Sequence, residues 1–289
     1  MSTSQQLASD EYANIKQQYV ESKKFVWRKH IEEHTAKQLL LEVCGSRVGK
    51  PTVLELACGA GHYSNKIVNE WSIADRILAT DLSPDMIELA RATYYNSHCD
   101  DNTRSVKMRF EVADACCQRQ LLGHKFDIVF AAYLINYCSS YDMLLAMCRT
   151  IRMNLSAGGS FISINDGSRQ AVSSYTAIPG FTKLLHTTSA ATAATADTRH
   201  DFSSFTVMLS DPLAESDEID CMKNRQPMQF TNYWISESCI ERAFKEAGFS
   251  QVDFIAVERS CVGTSCQVCK SYVDNQVIMA IRAVSDSSC

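Results

Sequence analysis

Between Val53 and Gly61 the sequence runs Val-Leu-Glu-Leu-Ala-Cys-Gly-Ala-Gly, an apolar stretch that carries one acid and then two glycines a single residue apart. An apolar strand that enters a glycine-bent loop and then a helix can hold a nucleotide-like ligand. Glycine lets the backbone turn tightly and approach with no Cβ in the way, and the helix start offers free N–H groups. Twenty residues past Gly61, Arg76-Ile77-Leu78-Ala79-Thr80-Asp81 is a second apolar run that ends in a carboxylate, placed to accept both hydroxyls of a ribose. A glycine pair alone is a weak signal. Bracketed by Glu55 and Asp81, it is a strong one.

These residues need elements to position them, and an alternation of strand and helix supplies them. Strands are expected at 52 to 57, 76 to 81, about 106 to 113, 126 to 133 and 160 to 165. The helices between them start near His62, at Pro84 behind a Ser83 cap, and on the stripe Tyr141, Leu144, Leu145, Cys148, Ile151, Leu155, which Gly158-Gly159 would end. The nearly unbroken apolar run from Phe126 to Tyr133 marks a central parallel strand buried on both faces. Before the first strand, Tyr12, Ile15, Tyr19 and Val26 fall near helical spacing, which predicts one or two amphipathic helices up to about Val43. After the fifth strand the pattern breaks for about seventy residues, too long for a plain connection. Within this insertion, 187 to 199 suits a surface loop, whereas Phe202, Phe205, Val207 and Leu209, then Met228, Phe230, Tyr233 and Trp234, are too apolar to stay solvated. A helix capped at Ser236 and stopped at Gly248 follows, then two strands at about 251 to 258 and 276 to 284, joined by a cysteine-bearing loop. Without a helical crossover, two such strands form an antiparallel pair at the sheet edge. The expected fold is therefore α/β, a Rossmann-like, doubly wound, seven-stranded and mostly parallel sheet with a C-terminal antiparallel pair. The expected divisions are a helical cap over 1–50, a cofactor-binding core over 51–166, an insertion or lid over 167–235 and a C-terminal part over 236–289.

Composition narrows the function. The chain has 289 residues and a net charge of −5, with no lysine and arginine block dense enough to track phosphates, so a small-molecule partner is expected rather than a nucleic acid. Met1 to Gln6 lacks the regions of a signal peptide, and the most apolar run is too short to span a bilayer, so a cytoplasmic protein without a membrane partner is expected. Thirteen cysteines without an export signal point to reduced thiols. Cys261, Cys266 and Cys269 have a spacing that zinc could use, but no fourth ligand lies nearby, and a thiol-rich hairpin loop without metal is the expected alternative.

The whole run from Val53 to the last strand resembles a class I S-adenosylmethionine-dependent methyltransferase. Its landmarks follow in order: Val53 to Gly61, the strand ending at Asp81, Val112-Ala113-Asp114, and Phe126 to Tyr133. Three features are similar to toxoflavin synthase-like small-molecule methyltransferases: Tyr12…Tyr19-Val20-Glu21-Ser22-Lys23, Ala132-Tyr133-Leu134-Ile135-Asn136-Tyr137, and Phe230…Tyr233-Trp234. The resemblance implies that S-adenosylmethionine is the cofactor and S-adenosylhomocysteine its product. Gly59 and Gly61 would admit the methionine part, with Glu55 organising the loop from below. Asp81 would bind the ribose, Leu82 would lie on the adenine, Asp114 and the backbone of Ala115 would read its amino edge, and Tyr133 would border the sulfonium. Tyr12 and Tyr19 either close over the methionine end or pack a helix into the core. Ser64 stands where a dinucleotide fingerprint has its third glycine, which lowers the case for NAD. The narrower resemblance implies a small heteroaromatic or amine acceptor methylated on nitrogen, with Tyr137, Trp234 and Tyr233 as the substrate-side aromatics. Transfer to a hydroxyl would require a base, for which His186, His200 and Asp166 are the available groups. A catalytically silent member of the fold is the other reading.

Overall fold

The computed structural model describes residues 16, 18–45, 49–96, 108–186, 197, 199–210 and 227–286. Val53 faces one side of the sheet and Leu54 and Leu56 the other, each feeding a different apolar cluster, so the first strand, β1 (Thr52–Leu56), is buried on both faces. That is the environment of a central parallel strand. β2 (Arg76–Asp81) and β4 (Phe126–Ala132) flank it, β3 (Met108–Val112) lies outside β2, and β5 (Leu155–Asp166) outside β4, all parallel. The chain therefore builds outward from β1 in one direction and then returns to its other side. The gap between β1 and β4 is the switch point at which such sheets bind ligands, at the carboxyl ends of the strands.

β9 (Phe249–Ala256) and β10 (Ile278–Ser285) complete seven strands among the described residues, in the order β3-β2-β1-β4-β5-β10-β9. β10 is antiparallel to both β5 and β9. The pair is antiparallel as expected, but the loop between its strands is not a bare hairpin: it holds a helix, Gln267–Asp274, whose Cys266 cap accepts the Cys269 amide. Among the three cysteines, Cys269 is buried and Cys261 exposed. A second correction concerns β5. It begins at Leu155 rather than Ser160, and Gly158-Gly159 lies inside it instead of ending the preceding helix. The register shift opposite Phe126 absorbs the glycine pair.

Helices cover both faces. On one side lie α1 (Glu33–Cys44), entered through a wide π turn at Arg28–Glu32, the short α2 (His62–Asn65) with its π continuation Lys66–Glu70, and α3 (Pro84–Asn96). On the other lie α4 (Tyr141–Asn154) and α5 (Glu237–Glu246), capped by the Ser140 and Ser236 hydroxyls. The helix before β10 is α6 (Gln267–Asp274). The insertion forms a separate antiparallel sheet of β6 (Phe181–Leu185), β7 (Ser203–Leu209) and β8 (Met228–Trp234). In β7, Phe205, Val207 and Leu209 alternate inward and join the same apolar cluster as α1 and Val53. Most of the segment expected as a surface loop, 187–196 and 198, lies outside the described residues, as does Tyr12. No helix among the described residues is long and apolar enough to cross a membrane.

Candidate active site

A cleft of about 1220 Å³ opens at the carboxyl ends of the central strands. Its floor is the loop after β1. Ala57, Gly59 and Gly61 all have positive φ, at 55°, 53° and 78°, so three residues in five take a left-handed conformation. The two glycines do different work. A Cβ on Gly59 would run into the hydroxyl and ring of Tyr19, which rests on the loop from the N-terminal segment. A Cβ on Gly61 would instead press on the Phe110 ring, 3.0 Å away, and on Ala90. Gly59 lines the cleft; Gly61 does not, and its missing side chain serves the packing of β3 and α3. Of the pair expected to admit a ligand, only Gly59 is placed to do so.

Glu55 is also behind the cleft rather than in it, 1% exposed, with the Ser64 hydroxyl donating to its carboxyl group. Burial lifts its pKa to about 8 even though the Ser64 contact pulls the other way, so it is mostly protonated at neutral pH. Ser64, the residue that departs from the dinucleotide pattern, is thus the partner that satisfies Glu55. Asp81 reaches across from the end of β2. One carboxylate oxygen accepts the Gly59 amide at 2.8 Å and the other the Ser83 amide at 2.9 Å. Burial raises its pKa, opposed by these backbone donors and that of Leu82. Leu82, Asp114 and Ala115 line the same side of the cleft, and Asp114 is fixed by the Cys116 amide at 2.8 Å.

The N-terminal segment roofs this floor. Tyr19, Lys23 and Trp27, spaced four apart, all line the cleft. Lys23 is half-buried, and burial, reinforced by the Arg28 charge, pushes its pKa down to about 7. Arg28 pairs with Glu32 at 2.7 Å, donates to the Ser22 carbonyl and lies over the Trp27 ring. Glu32 also accepts the Tyr63 hydroxyl at 2.7 Å and the Tyr133 hydroxyl at 2.6 Å. Tyr133, at the end of β4, has φ of 63°, a costly conformation for a bulky residue, and this hydrogen bond holds its ring at the cleft wall. Glu32 is therefore the hub that ties the roof to α2 and to β4.

The far side of the cleft is built by the small sheet and α6. Phe181, Phe230 and Asn232 line it, with Tyr272 from α6 and Asp166 from the end of β5. Asp166 accepts the Asn232 amide at 2.8 Å and sits 3.7 Å from the buried ammonium of Lys183. Tyr137 lines the cleft as expected from its sequence position. Tyr233 and Trp234 do not. They border a separate small pocket behind Asp166, where the Trp234 indole donates to the Ser168 carbonyl at 3.0 Å and the Arg199 guanidinium covers its ring. The cleft-facing residues of β8 are Met228, Phe230 and Asn232, which share one face of the strand; Tyr233 lies on the other, and Trp234 passes beyond the rim. His186 and His200 stay outside, His186 on the exposed hydroxyls of Ser204 and Thr206 and His200 on the Asp201 carbonyl. Sequence reasoning missed Lys23, Glu32, Asn232 and Tyr272. The four-residue spacing of Tyr19, Lys23 and Trp27 could have revealed the first; the other three have no local signature.

Residues 53–159 match the family model described as a methyltransferase domain. No curated protein matches the chain in sequence. Among solved structures, the chain is similar to an S-adenosylmethionine-dependent methyltransferase from Mesorhizobium loti, with 19% identity, coverage of 86% of this chain and 95% of that one, and a TM-score of 0.52. One from Clostridium acetobutylicum gives 15% identity, 93% and 98% coverage and a TM-score of 0.58. An amino pentose methyltransferase from Micromonospora echinaspora, solved with S-adenosylmethionine bound, gives 12%, 93% and 96%, and 0.52. The matched domain and the shared fold define what the chain is similar to: it carries a methyltransferase domain over residues 53–159 and has the fold of the S-adenosylmethionine-dependent methyltransferases.

Proposed function

We propose that the chain methylates a small molecule, on a nitrogen of a heteroaromatic or amine acceptor. The observation that carries this reading is the cleft. It joins a polar floor at the switch point to a mostly apolar far side, so a cofactor on the floor and a small acceptor against the far wall would share one cleft. The residues present fit the cofactor: Gly59 lines the cleft and lets Tyr19 close on the loop where a Cβ would stop it, and Asp81 is already oriented by two backbone donors. Asp81 would receive the ribose hydroxyls, Leu82, Asp114 and Ala115 the adenine, and Tyr133 would border the sulfonium. Tyr19 and Lys23 would meet the methionine end, the lysine as counterion to its carboxylate. The similarity to toxoflavin synthase-like enzymes supports the small heterocyclic acceptor, because Tyr19, Lys23, Tyr133, Tyr137 and Phe230 from its three features all line the cleft.

Bound there, S-adenosylmethionine supplies a methyl group on an already activated leaving group. The protein's task is alignment and exclusion of water, which the Tyr19 and Trp27 roof and the Phe181 and Phe230 wall are placed to provide. A neutral nitrogen can attack without a base in advance. The test is calorimetric titration with S-adenosylmethionine, S-adenosylhomocysteine and NAD, beside Asp81→Ala. Micromolar binding of both sulfur ligands, at least tenfold weaker in the variant and absent for NAD, is expected. Failure of either sulfur ligand to bind would favour a silent member of the fold.

A further inference from the structure

The far side of the cleft holds polar groups that the methyl-donor reading leaves unused. Asn232 is 1% exposed; its amide nitrogen is committed to Asp166, which fixes the amide's orientation and leaves its Oδ1 with no partner among the described residues. The Tyr272 hydroxyl and the Trp27 indole N–H, on two rings stacked at 4.6 Å, are likewise buried and without partner there. A buried polar group without a partner costs about 1–3 kcal/mol, so three around one cleft mark a place where a ligand completes the bonding. Behind them, Lys183 is 2% exposed, donates to Gln170 at 2.9 Å and is enclosed by the rings of Tyr175, Phe181 and Phe205 at 5.0–5.3 Å. Burial lowers the Lys183 pKa and the Asp166 carboxylate 3.7 Å away opposes that; with its proton in place, the ammonium balances Asp166.

From this arrangement, and resting on the methyl-transfer reading above, we infer that Asp166 and Asn232 form the recognition site of the acceptor, and that they select a neutral, flat nitrogen heterocycle bearing N–H donors. Asp166 and the Asn232 Oδ1 offer only acceptors, and the Trp27 indole, also on a residue that lines the cleft, offers a donor to a ring nitrogen or carbonyl. A cation gains little where the Lys183 ammonium faces Asp166. An anion gains little too, because it would set its own lone pairs against the acceptor oxygens of Asp166 and Asn232. The flat shape follows from the aromatic and branched walls of Phe181, Phe230 and Tyr272.

The probes are 2-aminoquinoxaline, its parent quinoxaline, which lacks the N–H donors, and the anion 2-naphthoate. Each is titrated by calorimetry into the full chain saturated with S-adenosylhomocysteine, whose own affinity is measured first. The amino compound should bind at least tenfold more tightly than quinoxaline, and 2-naphthoate should not bind. Asp166→Asn alone would strand the buried Lys183 charge, so the paired variant Asp166→Asn/Lys183→Met removes both charges together. It should keep the S-adenosylhomocysteine affinity within about threefold and lose the preference for the amino compound, and Asn232→Leu should weaken that preference with both charges in place. Equal binding of the two quinoxalines, no binding of either, or a preference that survives the paired variant would overturn the inference while leaving the cofactor reading intact. Loss of S-adenosylhomocysteine binding by the unaltered chain would overturn the reading beneath it.

Discussion

Glu55 shows how one residue can be decisive without touching a ligand. Its carboxyl group is sealed behind the glycine loop and held by Ser64, and burial carries its pKa from the usual 4.5 to about 8. An acid whose folded pKa lies above its unfolded value binds more protons when folded. Its contribution to stability is therefore fully present below about pH 4.5 and is lost as the pH rises to about 8, by up to about 5 kcal/mol at 1.36 kcal/mol per unit. Glu55→Gln keeps the shape and removes the titration. Urea unfolding at pH 5, 6.5 and 8 should show the difference in stability between variant and parent growing in the variant's favour with pH; a constant difference would mean that Glu55 is ionised throughout. The importance of Glu55, Gly59 and Asp81 was visible in the sequence because one loop and two adjacent strand ends bring them together. That Gly61 lies off the cleft was not legible, because a positive φ and a missing Cβ look the same whether ligand or Phe110 fills the space. That Trp234 borders the separate small pocket was not legible either, because its place is set by pairing with Ser203, which no local pattern records.

At the scale of elements, the alternation of strand and helix predicted β1 to β4 to within about two residues, since burial on both faces leaves a continuous apolar run, and missed the first five residues of β5, where Gly158-Gly159 looked like a helix stop. Contacts between distant elements were not legible. Glu32 is joined to Tyr133 across 101 residues, and nothing in either neighbourhood announces it. This hub gives the roof its seat, and its energetics have a definite sign. Glu32→Gln leaves the Arg28 charge buried with no full counter-charge and should cost about 3–5 kcal/mol. The double variant Arg28→Met/Glu32→Leu removes both charges into an apolar setting and should be more stable than Glu32→Gln. It still frees the Tyr133 ring, so its affinity for S-adenosylhomocysteine should fall by roughly tenfold, as a lost hydrogen bond of about 1 kcal/mol and a loosened wall require. Unfolding by urea and calorimetry on the same samples separate the two effects. A double variant less stable than the single one would show that the ion pair contributes net stability.

For the whole molecule, the question is whether the insertion and the main sheet behave as one body. The cleft takes residues from Tyr19 to Ile278, and Tyr272 is wedged between Trp27 of the roof, stacked at 4.6 Å, and Phe181 of the small sheet, edge-on at 5.8 Å. The apolar cluster that contains Val53 also contains Phe181, Phe205 and Tyr272, and Asp166 at the end of β5 is bonded to Asn232 of β8, so the two sheets are joined by apolar and polar contacts alike. A ligand in such a cleft binds only when all the contributing pieces are in place, and should stabilise them together. At one hundred times its dissociation constant, S-adenosylhomocysteine should add about 2.7 kcal/mol. In a chain of this size that corresponds to a rise of about 4–5 °C in the melting temperature. The rise should appear as a displacement of one cooperative transition, seen alike by far-ultraviolet circular dichroism and by tryptophan fluorescence. Trp27 and Trp234 make the second probe informative, because they lie in the roof and beside the small sheet. Two transitions, with only one moved by the ligand, would instead mean that the small sheet melts on its own and that the far side of the cleft forms independently of the cofactor floor.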